Sequence, residues 1–242
     1  MKMRADLFLV RHGHARSRAE AQAAIAARSV HVDGRAIARP SQALSQDAKI
    51  EYAPAHPYVS RGALKLAAAL ERFALSPAGL VCLDLGASTG GFTQVLLERG
   101  AKQVFAVDVG RGQLHQKIAD DRRVVSLEGV NARELSPVVL GAAPQAVVAD
   151  VSFISLTLAL PRALAMAPPR AWLVALVKPQ FEAGKESVGK GGIVRDRSVR
   201  LAALGRIVTF VTEASWSVLG TMESPIEGGD GNREFLLAAA KP

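Results

Sequence analysis

The sequence predicts an α/β protein: a parallel, doubly wound sheet preceded by a small α+β segment. Three observations predict it. From Gly79 onward, short apolar runs alternate with helical stretches, the pattern of strands joined by crossover helices. A glycine-containing loop, "LDLGASTGGFT" (Leu83 to Thr93), sits where the first strand would meet the first helix. Residues 1–53 carry nine Lys/Arg against five Asp/Glu, a net +4 equal to that of the 189 residues that follow, so their charge density is several-fold higher.

The elements follow in order. "RADLFLVRHG" reads as a short helix ended by Gly13. "SRAE" is a capping box, in which Ser17 caps and Glu20 reaches back, opening an alanine-rich helix from Ala19 to about Arg28. "VHVDGRAI" alternates like a strand and turns at Asp33-Gly34, a hairpin signal, and "KIEY" closes the segment as a further strand. The prolines of residues 54–59 mark a linker, so domains are expected at 1–53 and 60–242. "SRGALKLAAALERFAL" is an amphipathic helix, capped by Ser60, with Leu66, Leu70 and Phe73 on one face. Strands are then read at "LVCLDLG", "QVFAVDVG", "RVVSLEG", "AVVADVSF" and "WLVALVKP", with closing strands at "WSVLGTMES" and "REFLLAAAK". Helices are read at "TGGFTQVLLERG", "LPRALAMA" and "SVRLAALGRIVTFVTEA".

Composition narrows the function. A hydrophobic fraction of 49% in 242 residues can build a sizeable core, and a net charge of +8 favours polyanionic partners. The lone cysteine, Cys82, excludes an internal disulfide and fits a reducing cytoplasm. No uncharged apolar stretch reaches the roughly 18 residues a spanning helix needs, so no membrane association is expected.

The glycine loop departs from known phosphate-binding patterns. Its spacing is G-x-x-x-G-G rather than G-x-G-x-x-G, and it has no lysine, so neither a dinucleotide nor a triphosphate is indicated. Gly86 permits a tight turn, Gly90 and Gly91 permit close backbone approach at the helix start, and Ser88 between them is a further expected cofactor-binding residue. Asp84 at the strand tip suits a cationic group, Asp108 at the end of the second strand suits ribose hydroxyls, and Asn131 after the third suits an adenine edge. An adenosine with a cationic amino-acid end and no pyrophosphate is S-adenosylmethionine.

The stretch "LVALVKPQFE" runs apolar and then stops on Lys178 and Pro179. A buried lysine is costly unless paired or neutral. Asp150 ends the preceding strand 28 residues earlier, one strand–helix–strand step away, so both side chains are expected at the same sheet edge. A half-desolvated lysine at such a mouth can act as a base.

These stretches together resemble the TlyA-type ribosomal RNA 2′-O-methyltransferases, once called haemolysins, and more distantly the FtsJ group. The resemblance rests on "LVRHGHARSRAEA", "VSRGALKL", "CLDLGASTGGFTQVLLERGA", "VDVGRGQL", "VVADVSFISL", "LVKPQFEAGK" and "GNREFLL" and spans nearly the whole chain. It implies an S-four RNA-binding module followed by a Rossmann-type methyltransferase, acting on a cytidine of ribosomal RNA in one or both ribosomal subunits. It further implies a catalytic group of Lys65, Asp150, Lys178 and Glu234. Gly90, Phe92, Asp108 and Asn131 would line the cofactor, and Arg4, Arg16, Arg18 and Arg39 would bind RNA. One departure is "RHGHARS", where the family usually carries Arg-Arg-Gly; His12 and His14 hold less fixed charge at neutral pH.

In the mechanism so implied, Lys178 removes the 2′-hydroxyl proton, Lys65 stabilises the developing oxyanion, Asp150 orients the lysines, and Glu234 positions the ribose or Lys65. Two rival readings are a non-catalytic RNA-binding protein, opposed by the intact cofactor loop, and a membrane-active haemolysin, opposed by the lack of an apolar or amphipathic membrane segment.

Overall fold

The computed structural model describes residues 2–15 and 17–242, which form two compact units meeting between Pro57 and Tyr58. The first unit contains β1 (Met3–Arg4), α1 (Ala5–Arg11), α2 (Arg18–Ala26), β2 (Val30–Val32), β3 (Arg35–Ala36), β4 (Ala43–Leu44) and β5 (Ile50–Tyr52). Ser17 caps α2 by accepting the Glu20 amide at 3.2 Å. Strands β3-β2-β5 form an antiparallel sheet. Its hairpin turns on Asp33 and Gly34, both in the left-handed region (φ 50° and 76°), the geometry that matches the twist of the flanking strands. The pairing of β1 with β4 is additional to the sheet read from the sequence. Phe8, Leu9, Ile25, Val30, Ile37 and Leu44 make the core of this unit.

The second unit begins with α3 (Gly62–Arg72), followed by β6 (Val81–Leu85), α4 (Gly91–Glu98), β7 (Gln103–Asp108), α5 (Gln116–Ala119), β8 (Val124–Glu128), α6 (Pro137–Leu140) and β9 (Ala146–Ala149). It continues through α7 (Leu156–Ala159), α8 (Pro161–Met166), β10 (Trp172–Val177), α9 (Pro179–Glu182), α10 (Arg197–Glu213), β11 (Ser217–Glu223) and β12 (Phe235–Ala240). The sheet order is β11-β12-β10-β9-β6-β7-β8. From β10 to β8 every pairing is parallel, as expected, but β12 runs antiparallel to both its neighbours, β10 and β11. The expectation of a wholly parallel sheet is therefore corrected at this edge, where no crossover helix separates Glu223 from Phe235.

Both faces of the sheet are covered, which explains its continuous apolar strands. In β10, Leu173, Ala175 and Val177 face a core shared with Leu156, Leu160, Ile207 and Val211. The alternate residues Trp172, Val174 and Leu176 face Leu66, Leu70, Val95 and Leu96 of α3 and α4. Ser60 does not cap α3. The helix starts from Arg61 without a side-chain cap, and a Cβ on Gly91 would fall 2.0 Å from Ser60 Oγ, so Ser60 packs on the start of α4 instead.

Candidate active site

The strand order reverses between β6 and β9, and at such a switch point the carboxyl ends of parallel strands part to leave a crevice. Leu85 pairs with Ala149, so Gly86 and Asp150 leave their strands side by side. The Asp150 amide donates to Leu85 O at 2.9 Å. Gly86 has φ 81°, and a Cβ there would sit 2.5 Å from the Asp150 carbonyl oxygen, so only glycine lets the two turns pass. Lys178 follows the last residue of β10, and Pro179 opens α9 and carries the chain away. Because β12 runs antiparallel, its beginning lies where the other strands end. Phe235 pairs with Val177, which brings Glu234 to the same edge as Lys178.

Two cavities open there. The smaller, about 320 Å³, is lined by Lys65, Asp150, Lys178 and Glu234 together, with Ser60, Arg61, Ser152 and Phe92 among its other walls. All four expected catalytic residues therefore meet in one space. They meet as two ion pairs. Lys65 Nζ lies 2.5 Å from Glu234 Oε2, with both side chains nearly buried. Lys178 Nζ lies 2.6 Å from Asp150 Oδ1 in an ion pair, and it donates to Ser152 Oγ at 2.8 Å.

The larger cavity, about 630 Å³, is within the size range of small-molecule sites. Asp108 and Asn131 line it, with Val109, Gly110, Gln113, Phe153 and Ile154 among the others. Asp108 is held rigidly: Oδ2 accepts the Ser88 amide at 2.8 Å and Oδ1 the Gly110 amide at 2.7 Å. Each oxygen keeps a lone pair for a ligand hydroxyl. Asn131 Oδ1 accepts from the Arg133 amide at 3.0 Å, which leaves its NH₂ for a ligand acceptor. This donor and acceptor set fits an adenosine, and the cavity is large enough for one. Gly86, Ser88, Asp150 and Ser152 line both cavities.

Three residues assigned to the cofactor from the sequence stand outside the larger cavity, and of these Phe92 lines the smaller one. Asp84 lines neither cavity; it is fully buried beneath the loop, where its Oδ2 accepts from Thr93 Oγ1 at 2.7 Å and its Oδ1 has no hydrogen-bond partner among the described residues. Gly90 also lines neither. It begins α4 in the left-handed region, and a Cβ on it would meet Leu114 Cδ1 at 2.9 Å and Ile118 beyond. Ser152 and Gln113 were missed. Their placement follows from folding back against Lys178 and Gly110, which linear spacing does not encode; "VDVGRGQL", with Gly110 and Gly112 just before Gln113, is the available signal for the latter.

In the first unit, Arg4 and Arg18 converge on one buried carboxylate. Arg4 donates to both oxygens of Asp6, at 3.0 and 3.1 Å, while Arg18 and Gln22 donate to Oδ2 at 3.0 and 2.9 Å. The Arg4 guanidinium, foremost, holds the Asp6 carboxyl well below the usual range. Arg39 is exposed, and Arg16 lies outside the described residues.

A doubly wound sheet with an adenosine-sized cavity at its switch point, beside a lysine–carboxylate cluster, is a Rossmann-class fold with a site suited to a nucleoside cofactor. The S4 domain model matches residues 3–50 and the FtsJ-like methyltransferase model residues 58–241. The chain belongs to the FtsJ-like methyltransferase family. It is 46% identical over 238 residues to the 16S/23S rRNA (cytidine-2′-O)-methyltransferase TlyA of Mycobacterium tuberculosis, covering 98% of this chain and 89% of that one. It is 39% identical to Hemolysin A of Brachyspira hyodysenteriae, covering 97% and 98%. A solved hemolysin-like chain from Streptococcus thermophilus superposes with a TM-score of 0.78 at 41% identity, covering 99% of this chain and 88% of that one. The N-methyltransferase NodS of Bradyrhizobium japonicum, in complex with S-adenosylhomocysteine, shares the fold at 18% identity, with a TM-score of 0.53 and coverage of 72% and 85%. Among the described residues no helix is long and apolar enough to cross a membrane.

Proposed function

We propose that this protein methylates the 2′-hydroxyl of a ribose, that of a cytidine, in ribosomal RNA or ribosomal subunits, using S-adenosylmethionine. Such a substrate puts the reaction in the cytoplasm. The single observation that carries the reading is the meeting of Lys65, Asp150, Lys178 and Glu234 in a cavity that shares a wall with the adenosine-sized one. When bound, the cofactor supplies a methyl group activated on a sulfonium.

The chain's own residues do the rest. Asp108 accepts from the cofactor ribose and Asn131 donates to its adenine. The Lys178 amine takes the 2′-hydroxyl proton, and the Asp150 carboxylate, 2.6 Å from Nζ, stabilises the ammonium that forms. The hydrogen bond to Ser152 fixes the direction of the amine. Lys65, steadied by Glu234, supplies positive charge to the developing oxyanion. Holding the reactants aligned is worth up to about 7–11 kcal/mol, and general-base assistance about 10²–10⁴-fold. The residue 1–57 unit contributes Arg4, Arg16, Arg18 and Arg39 to phosphate contacts, and the target nucleotide leaves its stack to reach the buried site.

Single-turnover methyl transfer to purified ribosomal subunits, with the modified ribose mapped, tests this. Lys178→Ala and Lys178→Arg should both lose about 10²–10⁴-fold in rate, since arginine stays protonated, while still binding S-adenosylmethionine. Substantial activity in Lys178→Arg would move the proton to another acceptor, Asp150 first.

A further inference from the structure

The loop after β7 is tied down by a residue of the next strand. Glu128 ends β8, and its carboxylate accepts three successive backbone amides. Oε2 takes Gly112 at 2.9 Å, and Oε1 takes Gln113 at 2.7 Å and Leu114 at 3.1 Å. Successive amides turned to one point form an anion nest, and here the protein fills it with its own carboxylate. These amides, that of Leu114 foremost, hold the Glu128 carboxyl below its usual range. The same loop is fixed at its start, where the Val130 amide donates to Asp108 O at 3.0 Å, and at its end, where the His115 amide donates to Thr89 O at 3.2 Å.

The loop carries Gln113, whose side chain folds back over Gly110. A Cβ on Gly110 would fall 2.2 Å from Gln113 Nε2 and 3.1 Å from Asp108 Oδ1. The amide and the carboxylate therefore border the same small space, and both line the larger cavity. One is a donor and the other an acceptor. A sugar hydroxyl between them would donate to Asp108 and accept from Gln113, satisfying both hydrogen-bonding capacities of the hydroxyl.

We infer that Gln113 is a cofactor-binding residue, donating to a ribose hydroxyl that Asp108 accepts from, and that Glu128 is the positioning residue that holds it there. This rests on the cofactor reading above. It adds a donor to the adenosine site and explains why a strand-end glutamate is turned into a loop rather than to solvent.

Calorimetric binding of S-adenosylhomocysteine to the full chain tests it. Gln113→Ala should weaken binding about two- to tenfold, the range of one neutral hydrogen bond. Glu128→Gln should weaken it to a similar extent, and the double variant should be no worse than the weaker single one, because Glu128 acts through Gln113. In ligand-free protein, Glu128→Gln should also speed hydrogen exchange at the amides of residues 112–114, a change that Gln113→Ala should not produce. In turnover, both variants should raise KM for the cofactor more than they lower kcat. Wild-type binding with Gln113→Ala unchanged overturns the inference alone, as do losses that multiply in the double variant. A wild-type protein that does not bind S-adenosylhomocysteine overturns the cofactor reading and this inference with it.

Discussion

Asp84 is the carboxylate most at odds with its surroundings. Burial pushes its carboxyl up to about 7 against the Thr93 hydrogen bond, and the nearby charge of Asp150 pushes in the same direction as burial. The folded-state value is raised above the ordinary value of about 3.9. The contribution of the neutral acid is therefore fully present below about pH 4 and is lost as pH rises through 7. Asp84→Asn should accordingly be more stable than wild type at pH 8, with the gap closing towards pH 4, as read by denaturant midpoints across that range. Asp6 has the opposite sign. Its depressed carboxyl stabilises the first unit at neutral pH, and that stabilisation is lost as pH falls below the usual carboxylate range. Asp6→Asn should cost about 1.5–3 kcal/mol, the range for hydrogen bonds to a charged group, and should weaken RNA binding by freeing Arg4 and Arg18. Denaturant unfolding and filter binding at fixed salt check the two halves. Residue identity was well legible in the sequence at Lys178, because charge after six apolar residues demands an explanation. It was poorly legible at Asp84. A strand-tip acid reads alike whether it faces a ligand or lies under the loop, and Thr93, nine residues on, is what holds it inside.

The elements from β6 to β10 follow the apolar runs because both faces of each strand are buried. Direction is not written in hydropathy. "REFLLAAAK" reads as a buried strand either way, and only the lack of a helix between β11 and β12 signals that the chain returns antiparallel. That reversal has a mechanical result, since Glu234 at the head of β12 meets Lys65 on α3 and ties the helix to the sheet. Glu234→Ala would strand a buried ammonium and should cost about 3–5 kcal/mol. Replacing both partners, Lys65→Met with Glu234→Leu, should recover much of that stability without recovering methyl transfer. Urea denaturation paired with single-turnover assays separates the two effects; a double variant as unstable as Glu234→Ala would show that the pair is not the tie.

At the level of the whole chain, charge is unevenly spread, and the compact units divide within residues 54–59. Deleting residues 1–53 should leave cofactor affinity near wild type and abolish methylation of intact ribosomal subunits; full activity of the truncated chain would overturn the assignment of RNA binding to that segment. RNA affinity of the full chain should fall steeply with added salt as phosphate contacts release counterions, and a flat response would argue against the arginine set.

The wall common to the two cavities invites a chemical use. Gly86, Ser88, Asp150 and Ser152 line both spaces, so the two chambers adjoin at these four residues. A single molecule with an adenosine at one end and a short-tethered ribose at the other could occupy both at once. The second end would then bind at the high local concentration set by the tether, with affinity beyond that of either fragment alone. Such a compound would compete with the methyl donor and with RNA together, a double kinetic signature that an occupant of either chamber alone could not produce.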